Sequence, residues 1–219
     1  MLTAPLHQEQ PRIPEVVYPS IDIPRVTCMT GLQGMGKSTI AKSIAKLGRC
    51  TYLSTDAIRL KLGLTFETGS LYPEDQMRLV YENMHYYAQL ELEQGRSVVL
   101  DGTFGESKRA MFSDLATEED MCFVHVTVSD EELHRQRMLA REQLAKERGY
   151  VVARYQTYLD TRQYYSPPQE SLRVRRIYND YDLGVNTTAT HRKQALYTML
   201  NPHFNQADLI WAQGAYNEV

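Results

Sequence analysis

One glycine-rich segment restricts the fold of this chain more than any other feature. Residues 31–39 read GLQGMGKST and match the phosphate-loop pattern G-x-x-x-x-G-K-[ST]. Glycines let successive backbone N–H groups converge on phosphate oxygens, and the N-terminus of the following helix adds partial positive charge. Lys37 is predicted to contact the β- and γ-phosphates of ATP, and Ser38 is predicted to ligate Mg²⁺. The predicted nucleotide-binding residues are Gly31, Gly34, Met35, Gly36, Lys37, Ser38 and Thr39.

The segments on either side of this loop have the periodicity that a phosphate loop requires. The β-prone run 26–29 leads directly into it, and apolar side chains recur at helical spacing from Ile40 to Leu47. Gly48 is placed to end that helix. A glycine-rich turn beside an ordinary surface lysine is the alternative, and it is disfavoured by this complete strand–loop–helix pattern.

The rest of the chain alternates between strand-like and helix-like segments. Apolar runs at 50–54, 97–100 and 121–128 are separated by amphipathic stretches, which predicts an α/β fold with a parallel sheet covered by helices. Residues 1–24 instead contain five prolines, which block regular helix or a central strand. We therefore expect an extended N-terminal arm over 1–24 and one folded domain over 25–219.

Composition narrows the possible classes of function. The formal net charge is −3, so strong non-specific nucleic-acid binding is not indicated. Cys28, Cys50 and Cys122 form no C-x-x-C pair and have no histidine-rich metal spacing, which fits a reducing compartment. The sequence has no signal-like start and no apolar run of membrane-spanning length, so a cytoplasmic location and no membrane partner are expected.

Two carboxylates follow the ends of predicted strands, where open parallel sheets bind their ligands. Asp56 is a candidate general base, with Arg59 one turn later as a contact for the acceptor. The alternatives are a helix N-cap for Asp56 and an ordinary surface position for Arg59. Asp101 is a candidate Mg²⁺ contact, or an orienting partner of Ser38, and its alternative is a buried aspartate that caps a turn.

A long helix is predicted to follow the strand at 121–128. Ser129 and Glu132 form a capping-box pattern at its start, and the helix is expected to end near residue 149. Arg137 and Arg141 share one face of it, with no acidic residue three or four positions away. They are predicted to neutralise nucleotide phosphate, and a solvated helix face is the alternative.

Aromatic and basic residues interleave after this helix. Tyrosines at 150, 155, 158, 164 and 165 alternate with arginines at 154 and 162. Such a segment can stack nucleobases, or its tyrosines can simply pack the helix onto the domain. The scattered histidines, His134 among them, support no metal site or catalytic triad, and no role is assigned to them.

Four segments together resemble a known group, the small P-loop kinases that include the kinase domain of phage polynucleotide kinase, chloramphenicol phosphotransferase and the zeta toxins. The segments are 31–39, 54–59, 98–104 and 137–141, and the likeness extends over about residues 25–168. It implies a five-stranded parallel sheet of order 2-3-1-4-5, ATP with Mg²⁺, and a lid within about 130–170 that carries the arginines. It also implies the base and acceptor-contact roles for Asp56 and Arg59. Two runs, 173–179 and 207–211, compete for the last strand.

The function expected from these features is ATP-dependent transfer of the γ-phosphoryl group to a hydroxyl. Gly102 stands where motor-type ATPases have a water-polarising Glu, which favours transfer over hydrolysis. The resemblance and the tyrosine–arginine segment favour a nucleic-acid or nucleoside-type acceptor. A small metabolite, an antibiotic or a nucleotide sugar is an alternative acceptor. A regulator that uses ATP as a switch, without a separate substrate, is a further alternative.

Overall fold

A computed structural model describes residues 23–64, 73–148, 152–169 and 174–179. In chain order, the elements are β1 Val26–Thr30, α1 Lys37–Gly48, β2 Thr51–Ser54, α2 Thr55–Lys61, α3 Glu74–Glu93, β3 Val98–Asp101, α4 Glu106–Ala110, β4 Met121–Thr127, α5 Glu131–Arg148, α6 Tyr155–Arg162 and β5 Val174–Tyr178. Most of the predicted arm, residues 1–22, and the run 207–211 lie outside the described residues. Ile23 already packs on the core, so the described fold begins two residues before the predicted boundary.

All five strands of the sheet are parallel and follow the order β2-β3-β1-β4-β5. The order implied by the family resemblance is therefore confirmed. The last strand is β5, which pairs with β4 from Phe123↔Val174 to Thr127↔Tyr178. Of the two runs that compete in the sequence, the earlier one forms this strand.

Helices cover both faces of the sheet and produce three layers. Successive residues of β1 show this, because Cys28 packs with the α3 side chains Val80 and Met84, whereas Met29 packs with Ile40 and Ile44 of α1. Every residue of β1 and β3 is buried. Burial on both faces explains why these strands read as continuous apolar runs rather than as alternating patterns.

Two helix ends differ from the sequence predictions by one residue. Gly48 is the last helical residue of α1. The residue after it, Arg49, has the left-handed conformation at φ 53° that ends the helix. The cap of α5 is Asp130, whose Oδ1 accepts hydrogen bonds from the N–H groups of Glu132 (2.8 Å) and Leu133 (3.2 Å). The predicted capping box is wrong, because Glu132 is paired with Arg135 instead. Among the described residues, no helix is both long enough and apolar enough to span a bilayer.

Candidate active site

The phosphate loop connects β1 to α1 and needs glycine for steric reasons. Gly34 and Gly36 have φ values of 76° and 88°, in the left-handed region that residues with a Cβ rarely adopt. A Cβ on Gly34 would overlap the Met138 sulfur of α5, and one on Gly36 would overlap Asn179 Nδ2. Other elements therefore pack directly against the loop, and only glycine fits beneath them.

Three side chains hold carbonyl groups of this loop. Lys37 Nζ donates to Leu32 O at 2.7 Å, and His134 Nε2 donates to Gln33 O at 2.8 Å. Asn179 Nδ2 donates to Met35 O at 2.8 Å. In a trans peptide the C=O and the next N–H point in opposite directions. The N–H groups of Gly34 and Gly36 are thereby directed away from His134 and Asn179, which prepares them to bind an anion.

His134 and Asn179 are site residues that sequence reasoning missed. Both are almost fully buried, at 1% and 4% exposure. Burial lowers the pKa of His134, so the neutral ring keeps its proton on Nε2 for the loop carbonyl. Weak signals existed: Asn179 ends a strand-like run at the ligand-binding edge of the sheet, and His134 lies one helical turn before Arg137.

Lys37 lies at the electrostatic centre of the site. Burial lowers its pKa to about 8, the negative charges of Asp101 and Asp56 oppose this, and the charge of Arg141 reinforces it. Because their charges act on the Lys37 ammonium group, Asp56, Asp101 and Arg141 must all lie near it. The structure thus brings together four of the predicted site residues at the carboxyl edge of the sheet.

Asp101 and Ser38 both lie near the hydroxyl of Tyr52. Asp101 is 5% exposed, and its Oδ2 accepts a hydrogen bond from the Tyr52 hydroxyl at 2.6 Å. Ser38 and Ser54 also lie near this phenol. The carboxylate and the serine hydroxyl are therefore close enough to contact one cation, and both supply the oxygen ligands that Mg²⁺ prefers.

The protein alone supplies few ligands for a metal ion. Within the described ranges, no group of three or more His, Cys, Asp or Glu side chains could hold one. The two oxygen donors Ser38 and Asp101 fit a Mg²⁺ ion whose other ligands are phosphate oxygens of a nucleotide and water.

Asp56 lies at the start of α2 but does not cap it. Ser54 is the N-cap, because its hydroxyl accepts a hydrogen bond from Ala57 N at 3.1 Å. The Asp56 side chain is 80% exposed and accepts a hydrogen bond from Arg59 Nη1 at 2.6 Å. The Arg59 side chain is only 12% exposed, so it is not an ordinary surface residue. The N-cap alternative for Asp56 is wrong, and its carboxylate remains accessible to a substrate.

The two arginines of α5 have different surroundings. Arg137 Nη1 donates to the backbone carbonyl of Asn179 at 2.5 Å, whereas Arg141 is exposed and lies near Lys37. The contacts of His134 and Met138 hold the first half of α5 against the phosphate loop. Arg141 is therefore the better placed of the two to reach a bound triphosphate.

The described tyrosines that follow α5 mostly pack onto the domain. Tyr155 and Tyr158 stack on each other and surround the His134 ring. The Tyr165 hydroxyl is 2.7 Å from Thr30 Oγ1, and its ring stacks on His125. Tyr164 is exposed, and Tyr150 lies outside the described residues. The packing role is confirmed for these three tyrosines, of which Tyr158 is buried and Tyr155 and Tyr165 are half-buried.

Comparison with known proteins places the chain in a family. A sequence profile described as an AAA domain matches residues 26–168, from the first strand to beyond α6. The chain belongs to this AAA domain family. The matched range contains the phosphate loop, both carboxylates and both arginines of the site.

Solved structures share the fold at low sequence identity. A sugar kinase from a Janibacter species is 14% identical with a TM-score of 0.58, covering 83% of this chain and 96% of that protein. A gluconokinase from Sinorhizobium meliloti is 16% identical with a TM-score of 0.52, covering 90% and 98%. The APS kinase CysC of Mycobacterium tuberculosis, solved with AMPPNP and APS, is 17% identical with a TM-score of 0.52, covering 80% and 96%. These likenesses establish a kinase-like P-loop fold, and the narrower resemblance to polynucleotide kinase, chloramphenicol phosphotransferase and the zeta toxins is not confirmed.

Curated relatives match only a part of the chain. Uncharacterised proteins of Mycobacterium tuberculosis and Mycobacterium bovis are 34% identical over 114 residues. The match covers 48% of this chain and 23% of those proteins. The matched part of the chain therefore spans less than a quarter of the relatives' length.

Proposed function

We propose that this protein is an ATP-dependent kinase that transfers the γ-phosphoryl group to a hydroxyl of a small-molecule acceptor. One observation carries the proposal: Lys37, Asp56, Asp101 and Arg141 lie together where β1, β2 and β3 end, since Asp101 pairs with Met29 on one side and with Ser54 on the other. Phosphoryl transfer depends mainly on positioning and on neutralising charge, and these four groups supply both.

Each residue has a distinct role in the proposed reaction. Lys37 and the loop N–H groups hold the phosphates of ATP, and Arg141 offsets negative charge on the transferred group. Arg137, on α5, is proposed to assist Arg141 in offsetting this charge. Its guanidinium lies beside the end of β5, where it donates to the Asn179 carbonyl. Ser38 and Asp101 would hold Mg²⁺, which would supply neutralisation of phosphate charge when bound.

Asp56 is proposed to accept the proton of the attacking hydroxyl. Its carboxylate is exposed and is held from one side by Arg59, which fixes its direction and leaves the second oxygen for the substrate. Arg59, which holds this carboxylate, is proposed to contact the acceptor. An ATP switch without a separate substrate would need neither group.

The acceptor is proposed to be a small hydroxyl compound rather than a nucleic acid. The packing of Tyr155, Tyr158 and Tyr165 removes most of the aromatic surface on which the nucleic-acid prediction depended. Several proteins of this fold bear the names of sugar, gluconate and APS kinases, which supports a metabolite-sized acceptor. The mildly acidic net charge of −3 is compatible with that choice.

A labelled-ATP screen tests this function. The protein is incubated with [γ-³²P]ATP and Mg²⁺ against separate panels of sugars and polyols, nucleosides, and oligonucleotides with free 5′-hydroxyl ends. Transfer of label to a sugar or polyol that is lost in the Asp56→Asn variant supports the proposal. Transfer only to oligonucleotides would overturn the choice of acceptor. Binding of a non-hydrolysable ATP analogue without transfer in any panel would favour the ATP switch.

A further inference from the structure

We propose that Tyr52 is a positioning residue for the Mg²⁺ site, acting through Asp101. The inference rests on the proposed function, in which Asp101 and Ser38 bind Mg²⁺ together with ATP. No motif in the sequence singles out Tyr52, which lies inside β2, the strand that leads directly into the helix α2 that carries Asp56.

The register of the sheet explains how this tyrosine reaches the site. Ser54 pairs with Asp101 across the β2–β3 ladder, and Tyr52 pairs with Val99. Side chains two positions apart on a strand lie on the same face, so Tyr52 is a diagonal neighbour of Asp101. Such neighbours are within reach of a long aromatic side chain. The phenol thus extends along the sheet to the carboxylate, where its hydroxyl lies 2.6 Å from Oδ2.

The direction of the hydrogen bond follows from the groups involved. An ionised carboxylate can only accept, so the Tyr52 hydroxyl donates its one proton to Asp101. Tyr52 therefore fixes the direction of the Asp101 carboxylate and leaves its second oxygen for the ion or its water.

The aromatic ring has a separate structural role that Phe would preserve. It packs against the core cluster on the α1 side of the sheet, and Lys42 Nζ lies 5.8 Å from its centroid. Tyr52→Phe keeps this packing and removes only the hydroxyl. Partners in the outer shell of a metal site typically contribute 10–100-fold to metal affinity.

Calorimetry with a non-hydrolysable ATP analogue tests the inference, first in EDTA and then across a Mg²⁺ series. For Tyr52→Phe we expect unchanged binding in EDTA and an apparent Mg²⁺ affinity that falls by about 10–100-fold. Tyr87→Phe is the matched control, because it removes the phenol that bonds Lys61, and it should behave as wild type. Thermal melts confirm that each variant is folded.

A double-mutant cycle with Asp101→Asn shows whether Tyr52 acts through that carboxylate. The combined variant should lose little more Mg²⁺ affinity than Asp101→Asn alone. Wild-type Mg²⁺ dependence in Tyr52→Phe, or losses that multiply in the double variant, would overturn the inference. A wild-type protein that binds the analogue without any gain from Mg²⁺ would instead refute the Mg²⁺ site of the proposed function, and this inference with it.

Discussion

Replacing Asp56 with Asn separates catalysis from stability and from nucleotide binding. The substitution keeps the size of the side chain and removes its charge. In the proposed mechanism it abolishes the general base, whose loss reduces kcat by about 10²–10⁴-fold. ATP affinity should change little, because Lys37 and the loop N–H groups bind the phosphates.

The cost in stability is small, and it follows from exposure. The Asp56 side chain is 80% exposed, and its ion pair with Arg59 spans one helical turn. Such a pair contributes about 0.3–0.5 kcal/mol, and a carboxylate in the first turn of a helix adds about 0.3–1 kcal/mol. For a domain of this size, about 1 kcal/mol corresponds to a Tm shift of about 2–4 °C. The variant should therefore remain folded while its turnover disappears.

Glu91→Gln is the matched control for Asp56→Asn. Glu91 lies at the opposite end of the sheet, where its Oε2 accepts hydrogen bonds from Thr51 Oγ1 (2.6 Å) and Arg96 Nε (2.5 Å). The Glu91→Gln substitution should lower Tm and leave kcat unchanged, which is the reverse of the pattern expected for Asp56→Asn. Steady-state transfer from labelled ATP, calorimetry and thermal melts measure the three quantities. If Asp56→Asn turns over within about threefold of wild type, far short of the loss of a general base, the residue has no role as base.

Three further outcomes are expected. Because the pKa of Lys37 is about 8 in the free protein, the lysine is about half protonated at pH 8. Binding of the ATP phosphates should raise this pKa and take up a fraction of a proton, seen as a calorimetric enthalpy that varies with the ionisation enthalpy of the buffer. Lys37→Ala should abolish that dependence and weaken both ATP binding and catalysis. His134→Phe leaves the buried Gln33 carbonyl unpaired, so the free energy of unfolding should fall by about 1–3 kcal/mol and ATP affinity should decrease; wild-type values in denaturant titrations and calorimetry would contradict this. The Arg96 and Thr51 hydrogen bonds lower the pKa of Glu91 to about 2 from 4.5, so its contribution to stability is complete above the higher value and is lost as pH falls toward the lower one. Melts between pH 5 and 2 should show a shallower loss of stability in Glu91→Gln than in wild type.

Much of the fold could be predicted because the informative signals are local. The loop at 31–39, the helix after it and the strand-like runs are patterns over a few neighbouring residues, and they place α1 and the first four strands to within one or two positions. The motif resemblance supplied the strand order, which the structure confirms. Asp56 and Asp101 could be found because residues that follow parallel strands meet at one edge of a sheet.

The residues that hold the site in shape could not be predicted in the same way. His134 meets Gln33 across 101 positions, and Asn179 meets Met35 across 144. The contact between Tyr52 and Asp101 spans 49. Each side chain is individually unremarkable in the sequence, and its partner depends on the path of intervening helices and on strand register.

The sequence by itself determined a phosphate loop between a buried strand and a helix, since loop conformation follows from glycines and a few neighbours. Only the tertiary structure decided which side chains hold the carbonyls of that loop and which hydroxyl orients Asp101. The physical reason is that hydrogen bonds between distant segments form only where packing has already brought donor and acceptor within about 3 Å. The local sequence pattern does not show which distant segments pack against each other.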